Sequence, residues 1–191
     1  MMMKTQSRKA KGRQFRELKN PCTEEYLELK KLVQGYAIPW YYHSRATFED
    51  QEDIQYYSHT IMERPGTHEG KHYTQITSDH FDRVYFILKQ VIEYNKLDVS
   101  VIYRINFNAT FSVPTKNKRS AYHTDLNIPH YNLLIYMSKF KGGELYIKDD
   151  IQEVKFSPKE DDVILFDGDL EHCISAPEGI DRRIVMVVNF L

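Results

Sequence analysis

Only two cysteines, Cys22 and Cys173, occur in 191 residues. Two thiols build neither a disulfide scaffold nor a cysteine-rich zinc site, so both read as reduced side chains. Glycine and proline are sparse, at 8 and 7, which excludes collagen-like and proline-rich architecture. No window approaches the roughly 18 unbroken apolar residues that mark a membrane span. Residues 1–20 hold no apolar stretch that would serve as a secretory h-region. These absences predict a chain without a membrane partner, resident in the cytoplasm of a cell or of an infected host. No internal repeat is visible.

What is present is a hydrophobic fraction of 41%, enough for the core of one domain. The 14 tyrosines and 10 phenylalanines lean toward strands. The net charge is −1 but unevenly spread: residues 1–20 carry seven basic side chains and one acid, leaving −7 on the remainder. A basic arm on an acidic body is one way to contact nucleic acid. No aromatic-and-basic pattern follows it, so the arm reads as a frayed, solvated tail with at most a weak nucleic-acid contact. The organisation predicted is a basic flexible tail over 1–20 and one domain over 21–191. Within that domain, 21–98 supplies helices and a lid, and 99–191 a β core.

Thr23 before Glu24 and Glu25 predicts a helix N-terminus, with Tyr26, Leu29, Leu32 and Val33 at helical spacing and Gly35 as the stop. Residues 37–43 read as a strand. Residues 44–75 are polar and without clear period, with turns at Pro65-Gly66 and Glu69-Gly70, and read as a long loop or lid. Ser78 or Asp79 is expected to cap a second helix carried by Phe81, Val84, Tyr85, Leu88, Val91 and Ile92. From Val99 the period falls from 3.6 to 2. Strands are predicted near 99–107, 111–113, 120–126, 131–138, 143–148, 151–156, 162–167, 171–175 and 182–190. The fold class expected is mostly β with flanking helices, a sandwich or barrel of jelly-roll type.

Three features in the strand-rich part carry chemistry. Tyr122-His123-Thr124-Asp125 places an imidazole and a carboxylate two residues apart, hence on one side of a strand. His172 follows 47 residues after Asp125, a gap that spans several strands of an antiparallel jelly roll and can return the chain to the first pair. Two imidazoles and one carboxylate take three positions on a metal and leave the rest open, which suits non-haem Fe(II) and dioxygen. Arg182-Arg183 then opens a terminal strand, Ile184 to Phe190, apolar on both faces. A guanidinium at the mouth of a buried strand needs an anion, and Arg binds a carboxylate as a fork. Each piece alone has a plainer reading. His172 is then an ordinary core or surface histidine, and the arginines are rim charges paired with Glu178 and Asp181.

Taken in order, YHTD (122–125), NLLIYMS (132–138), GGELYI (142–147), DDVILFDGDLEH (161–172) and RRIVMVVNF (182–190) resemble the catalytic core of the Fe(II)- and 2-oxoglutarate-dependent oxygenases. The likeness is to the prolyl-hydroxylase-like branch and its bacterial and phage relatives, and it covers about half of the chain. It implies a double-stranded β-helix, with Fe(II) held by the positions matching His123, Asp125 and His172. It implies 2-oxoglutarate as cosubstrate, its distal carboxylate on Arg183 with Arg182 as the runner-up, and O2 as oxidant. Tyr136 matches a tyrosine that hydrogen-bonds the same carboxylate in this branch, and Tyr103 is a further candidate; ordinary core packing is the other reading of both. An intact carboxylate at Asp125 speaks for hydroxylation over halogenation. Two departures stand out. Val185 occupies the place of a usual Ser or Thr two residues after the Arg, and the turn at Lys139–Lys141 is short.

The substrate implied is a small molecule or peptide, a prolyl or other amino-acid side chain by analogy. His43, Arg45, His59, Arg64, His68 and His72 can form a selecting lid or a solvated loop. His130 reads as substrate-facing or exposed. Two other classes stay open: a cupin-like metal-binding protein without 2-oxoglutarate turnover, and a non-enzymatic jelly roll such as a virion component.

Overall fold

The computed structural model describes residues 15–45, 54–66, 73–113, 119–148 and 151–191. The chain opens with β1 (Phe15–Leu18), α1 (Glu24–Gln34), β2 (Tyr41–His43), β3 (Tyr56–Glu63), β4 (Gln75–Ile76) and α2 (Phe81–Tyr94). There follow β5 (Ile102–Thr110), β6 (Tyr131–Tyr136), β7 (Lys141–Gly142), β8 (Leu145–Lys148) and β9 (Glu153–Phe156). The last are β10 (Val163–Asp167), β11 (Glu171–Ile174), β12 (Pro177–Glu178) and β13 (Arg183–Phe190). Among the described residues no helix is long and apolar enough to cross a membrane.

The large sheet runs β1-β10-β6-β13-β5-β3-β2, with β4 on β3. A smaller sheet, β11-β8-β9, faces it, and β12 pairs with β7. The period of 2 explains how one sheet serves two purposes. On β13, Ile184, Met186 and Val188 face the helices and join Leu29, Val33, Val84, Leu88 and Val91 in one buried cluster. The alternate positions Val185 and Val187 join Leu134, Leu145, Ile147 and Phe166 in a second cluster, between the sheets. Each fully buried Ile, Val or Met side chain contributes about 1.5–3 kcal/mol. A strand apolar on both faces can therefore hold the centre of the sheet.

α1 starts and stops where the sequence predicts. The Thr23 hydroxyl accepts from the Tyr26 N–H at 3.3 Å, and the Gly35 N–H closes onto the Lys31 and Leu32 carbonyls. α2 begins one residue later than expected, with His80 at the cap. Ser78 still shapes the turn, its hydroxyl accepting from the His80 N–H at 3.2 Å. The same hydroxyl meets His59 Nε2 at 2.9 Å, which ties α2 to β3.

Four expectations need correction. Residues 15–18 are not tail but β1, pairing with β10 from Phe15↔Phe166 to Leu18↔Val163. The predicted strand at 37–43 shrinks to Tyr41–His43; Pro39 brings no N–H to a ladder, and Ile38 instead packs in the helix-side cluster. The stretch 44–75 contains β3, a full partner of β5, so the sheet is not confined to 99–191. Strands expected at 111–113 and 120–126 are absent, and the segment around 119–130 forms two isolated bridges, Arg119↔Ser175 and His123↔His172.

His130 is buried, not exposed. Its ring lies over Gly168, where an added Cβ would meet His130 Nε2 at 2.2 Å. Gly168→Ala is therefore expected to cost about 1–3 kcal/mol by overpacking, read as a lower denaturation midpoint with an unchanged m-value. A variant of unaltered midpoint would show that the ring moves aside freely.

Candidate metal centre and its cavity

One backbone bridge closes the long gap between the candidate ligands. The His123 N–H donates to the His172 carbonyl at 3.1 Å, and the His172 N–H donates back to the His123 carbonyl at 2.9 Å. Residues so paired present their side chains side by side, and the two imidazole centroids lie 4.5 Å apart. The chain bends after His123 and brings in Asp125, so that ligand atoms of His123, Asp125 and His172 all lie within 4.8 Å of one another.

The surroundings fit the three for a cation. His123 Nδ1 lies 3.1 Å from the Ala121 carbonyl and His172 Nδ1 3.4 Å from the Leu170 carbonyl. Donation from Nδ1–H to these carbonyls fixes the tautomer and leaves both Nε2 lone pairs for a metal. Burial pushes the His172 imidazole down to about 4, so it is neutral near pH 7, as a ligand must be. Asp125 Oδ1 accepts from Arg104 Nη1 at 3.2 Å and Oδ2 from Asn189 Nδ2 at 3.1 Å. Burial works against its charge, but Arg104, the two imidazoles and Asn189 hold the carboxyl well below the usual range. Asn189 is itself aimed by Asn132, whose Oδ1 accepts at 2.6 Å. Arg64 donates to the Asp125 main-chain carbonyl. Two neutral nitrogens and one carboxylate oxygen suit divalent iron with open positions better than a closed structural zinc site.

Arg183, at the start of β13, is 2% exposed and lines the same cavity. Its Nη2 donates to the Tyr136 hydroxyl at 3.3 Å, and its guanidinium lies 5.0 Å from the Tyr136 ring centre and 6.0 Å from that of Phe140. Its Nε has no hydrogen-bond partner, and among the described residues no carboxylate pairs with it. A buried cation without a counter-ion is costly unless an anion joins it. Burial also raises the Tyr136 hydroxyl above its ordinary range, keeping it protonated.

The other candidates fall elsewhere. Arg182 points away, donating to the carbonyls of Gln34 and, at 3.2 Å, Gly35, with its guanidinium 5.8 Å from the Trp40 ring centre. It closes the negative end of α1. Arg182→Ala is expected to lower stability by about 1 kcal/mol, measured by thermal melts, and to leave a titration of the protein with 2-oxoglutarate, the cosubstrate the resemblance implies, the same as for the unaltered chain. A lost affinity would return Arg182 to the site. Tyr103 sits where the β5–β13 register shifts, and the cavity-facing residue at that point is Arg104. Of the expected lid residues, His43, Arg45 and Arg64 line the cavity. His59 is buried with both ring nitrogens held, by the Pro39 carbonyl and Ser78. His68 and His72 lie outside the described residues.

The cavity measures about 730 Å³. Leu134, Val185 and Val187 give it an apolar floor around Arg183, and the cavity faces of β3 and β5 give it a polar wall. Sequence reasoning missed Arg104, Asn132 and Asn189. The signal for two of them was present: Arg104, Asn106, Asn108 and Thr110 alternate along one strand, and Asn189 interrupts an apolar one.

Architecture and cluster together define a double-stranded β-helix with three side chains at its mouth that could hold a metal ion. No family profile and no curated protein matches the chain. Solved structures do. A 2OG-Fe(II) oxygenase family oxidoreductase from Burkholderia pseudomallei superposes at TM-score 0.62 and 17% identity, over 86% of this chain and 76% of that one. A Trichoplax adhaerens prolyl hydroxylase, solved with a hypoxia inducible factor peptide fragment, gives 0.61 at 12% identity over 93% and 83%. A Pseudomonas putida prolyl-4-hydroxylase gives 0.57 at 12% identity over 94% and 92%. At such identities the likeness is one of fold.

Proposed function

We propose that residues 21–191, with β1 added at the sheet edge, form a non-haem Fe(II) dioxygenase that couples 2-oxoglutarate decarboxylation to hydroxylation of a C–H bond. The observation that carries this reading is a buried guanidinium, Arg183, with no carboxylate partner among the described residues, in the cavity that also holds His123, Asp125 and His172. When bound, the iron supplies the centre at which O2 and 2-oxoglutarate react, giving succinate, CO2 and one oxygen atom for the substrate. His123 and His172 hold it through neutral imidazoles. Asp125 supplies one negative charge, kept in place by Arg104 and Asn189. Arg183 takes the distal carboxylate of 2-oxoglutarate, and Tyr136 aims it. Leu134, Val185 and Val187 cover the methylenes of that molecule and keep water out. Val185 offers no hydroxyl, so the carboxylate depends on Arg183 more heavily.

The fold likeness to prolyl hydroxylases and the cavity's size support a small-molecule or peptide substrate. Cys22 and Cys173 are free thiols, which accords with a reducing, cytoplasmic setting. A cupin-like protein without 2-oxoglutarate would leave Arg183 buried with no anion to meet it. The test is succinate release from 2-oxoglutarate under air with Fe(II). Release that needs all three components is expected. Metal bound by the protein without any succinate formed, even with added amino acids and prolyl peptides, would reject the oxygenase reading.

A further inference from the structure

We propose that the primary substrate of this cavity is an uncharged, multiply hydroxylated ring, a sugar or a sugar-like molecule, laid along the cavity faces of β3 and β5. The inference rests on the oxygenase reading and adds the chemical class of its substrate.

The first argument is what the charged groups of the lining already do. Arg104 donates to the Asp125 carboxylate, and Arg64 to the Asp125 main-chain carbonyl. Glu171 is engaged by Lys148 at 3.0 Å. Arg45 and Glu63 each have a partner as well. The oxygenase reading commits Arg183 to 2-oxoglutarate, and His123, Asp125 and His172 to the metal. The polar side chains of the lining left for a substrate are therefore uncharged. An ion brought against them would go unmatched, whereas a neutral polar molecule would not.

The second argument is the arrangement of those neutral groups. Tyr56, Ser58 and Thr60 on β3 stand opposite Thr110, Asn108 and Asn106 on β5, and all six line the cavity. Facing side chains lie about 5 Å apart across such a ladder, and successive ones about 7 Å apart along each strand. The result is a grid of hydroxyls and side-chain amides. Hydroxyls and amides both donate and accept, as the hydroxyls of a sugar do. The β5 row runs from Arg104, which holds Asp125, to Thr110, which stands opposite Arg183. A ring laid along it therefore passes the centre.

The third argument is the hydrogen-bonding capacity left unspent. Thr60 donates to Asn106 Oδ1 at 3.0 Å, and Asn106 Nδ2 to Asn108 Oδ1 at 2.5 Å. Both bonds run the same way, so the chain ends on Asn108 Nδ2, which has no partner among the described residues. Thr110 is 3% exposed, and its hydroxyl is buried without a hydrogen-bond partner. A buried polar group left unpaired is costly, and a substrate hydroxyl that meets it removes the cost. Beside them His43 stacks on Tyr56, ring centres 4.6 Å and planes 12° apart. No slot for a flat base opens between rings so close, but their outer surface suits the C–H face of a saturated ring. A cavity of about 730 Å³ has the size of a small-molecule site.

The test uses the full chain loaded with Zn(II) and saturating 2-oxoglutarate, which binds without turnover. The methyl glycosides of glucose, galactose and mannose are titrated by calorimetry against N-acetylprolinamide, benzoate and cyclohexanol. At least one glycoside is expected to bind about tenfold or more tighter than each of the other three probes. Thr110→Val removes only the hydroxyl and should weaken that glycoside about tenfold, while Thr110→Ser should restore most of the loss. Asn108→Leu should weaken it by a similar factor, and carries the comparison if Thr110→Val does not fold. Tightest binding by N-acetylprolinamide points to a peptide, and by benzoate to an anion; either overturns the proposal. It is also overturned if cyclohexanol binds as well as the glycosides, or if no glycoside binds. A Thr110→Val chain that loses affinity for 2-oxoglutarate and keeps the glycoside places that hydroxyl on the cosubstrate, which overturns it too. Failure of Zn(II) and 2-oxoglutarate to bind at all is a separate result, and it strikes the oxygenase reading instead.

Discussion

Asp125→Ala is expected to abolish 2-oxoglutarate turnover and to weaken divalent metal binding by about 100-fold or more. The loss has two parts. The charged oxygen leaves the centre, so only two neutral nitrogens remain to hold a dication. Arg104, which donates to that carboxylate, also turns from a positioning group into a cation facing the vacated position. His123→Ala and His172→Ala should match it in turnover, with one nitrogen lost and the backbone bridge between the two residues intact. The measurements are metal content after dialysis against Mn(II), and succinate release. Circular dichroism separates loss of site from loss of fold. Wild-type succinate yield from any of the three would remove the cluster from the chemistry.

The second large effect comes from Arg183→Met, and it has opposite signs in the two states of the protein. With 2-oxoglutarate bound as proposed, a buried ion pair would lose one partner, which costs about 3–5 kcal/mol, a factor of roughly 10²–10³ or more in affinity. Without it, the substitution removes a buried cation that no carboxylate among the described residues neutralises. The apo protein should then melt at the same temperature or higher, since an apolar side chain of similar length suits a site between Tyr136 and Phe140. Metal affinity measured without 2-oxoglutarate should change little. A variant with wild-type affinity for 2-oxoglutarate would dislodge Arg183 from its role, and a large drop in apo stability would mean that its stacking outweighs its charge.

The parts legible in the sequence were those where one physical rule decides. α1 was readable because Thr23, two acids and Gly35 mark both ends of a helical period. β6, β10 and β13 were readable as apolar runs bounded by turns. The cluster of His123, Asp125 and His172 was readable as a candidate site because residue type and order narrowed the choice, although the geometry argued for it was not the one found. His123 and Asp125 converge from an irregular segment, not from one side of a strand. β3 was missed because its apolar signal is broken: Ser58 and Thr60 line the cavity, and on the other face His59, buried between Pro39 and Ser78, stands between Tyr57 and the core residue Ile61. β1 was hidden by its basic neighbours, since a four-residue edge strand needs only its partner, β10. Arg182 and Arg183 could not be told apart by composition; alternate faces of the chain send one to α1 and the other to the cavity.

The position of β13 between β5 and β6 bears on how the molecule comes into being. During synthesis, everything from residue 15 to residue 182 leaves the ribosome before this segment does. Until it slots in, two long strands stand with bare inner edges, and both hydrophobic clusters lack their middle row. Pairing across such sequence distances is slow, and unpaired edges recruit other chains. The nascent protein is thus expected to depend on chaperones up to the moment β13 docks, and the cavity, which takes Arg183 from that strand, comes into existence only then.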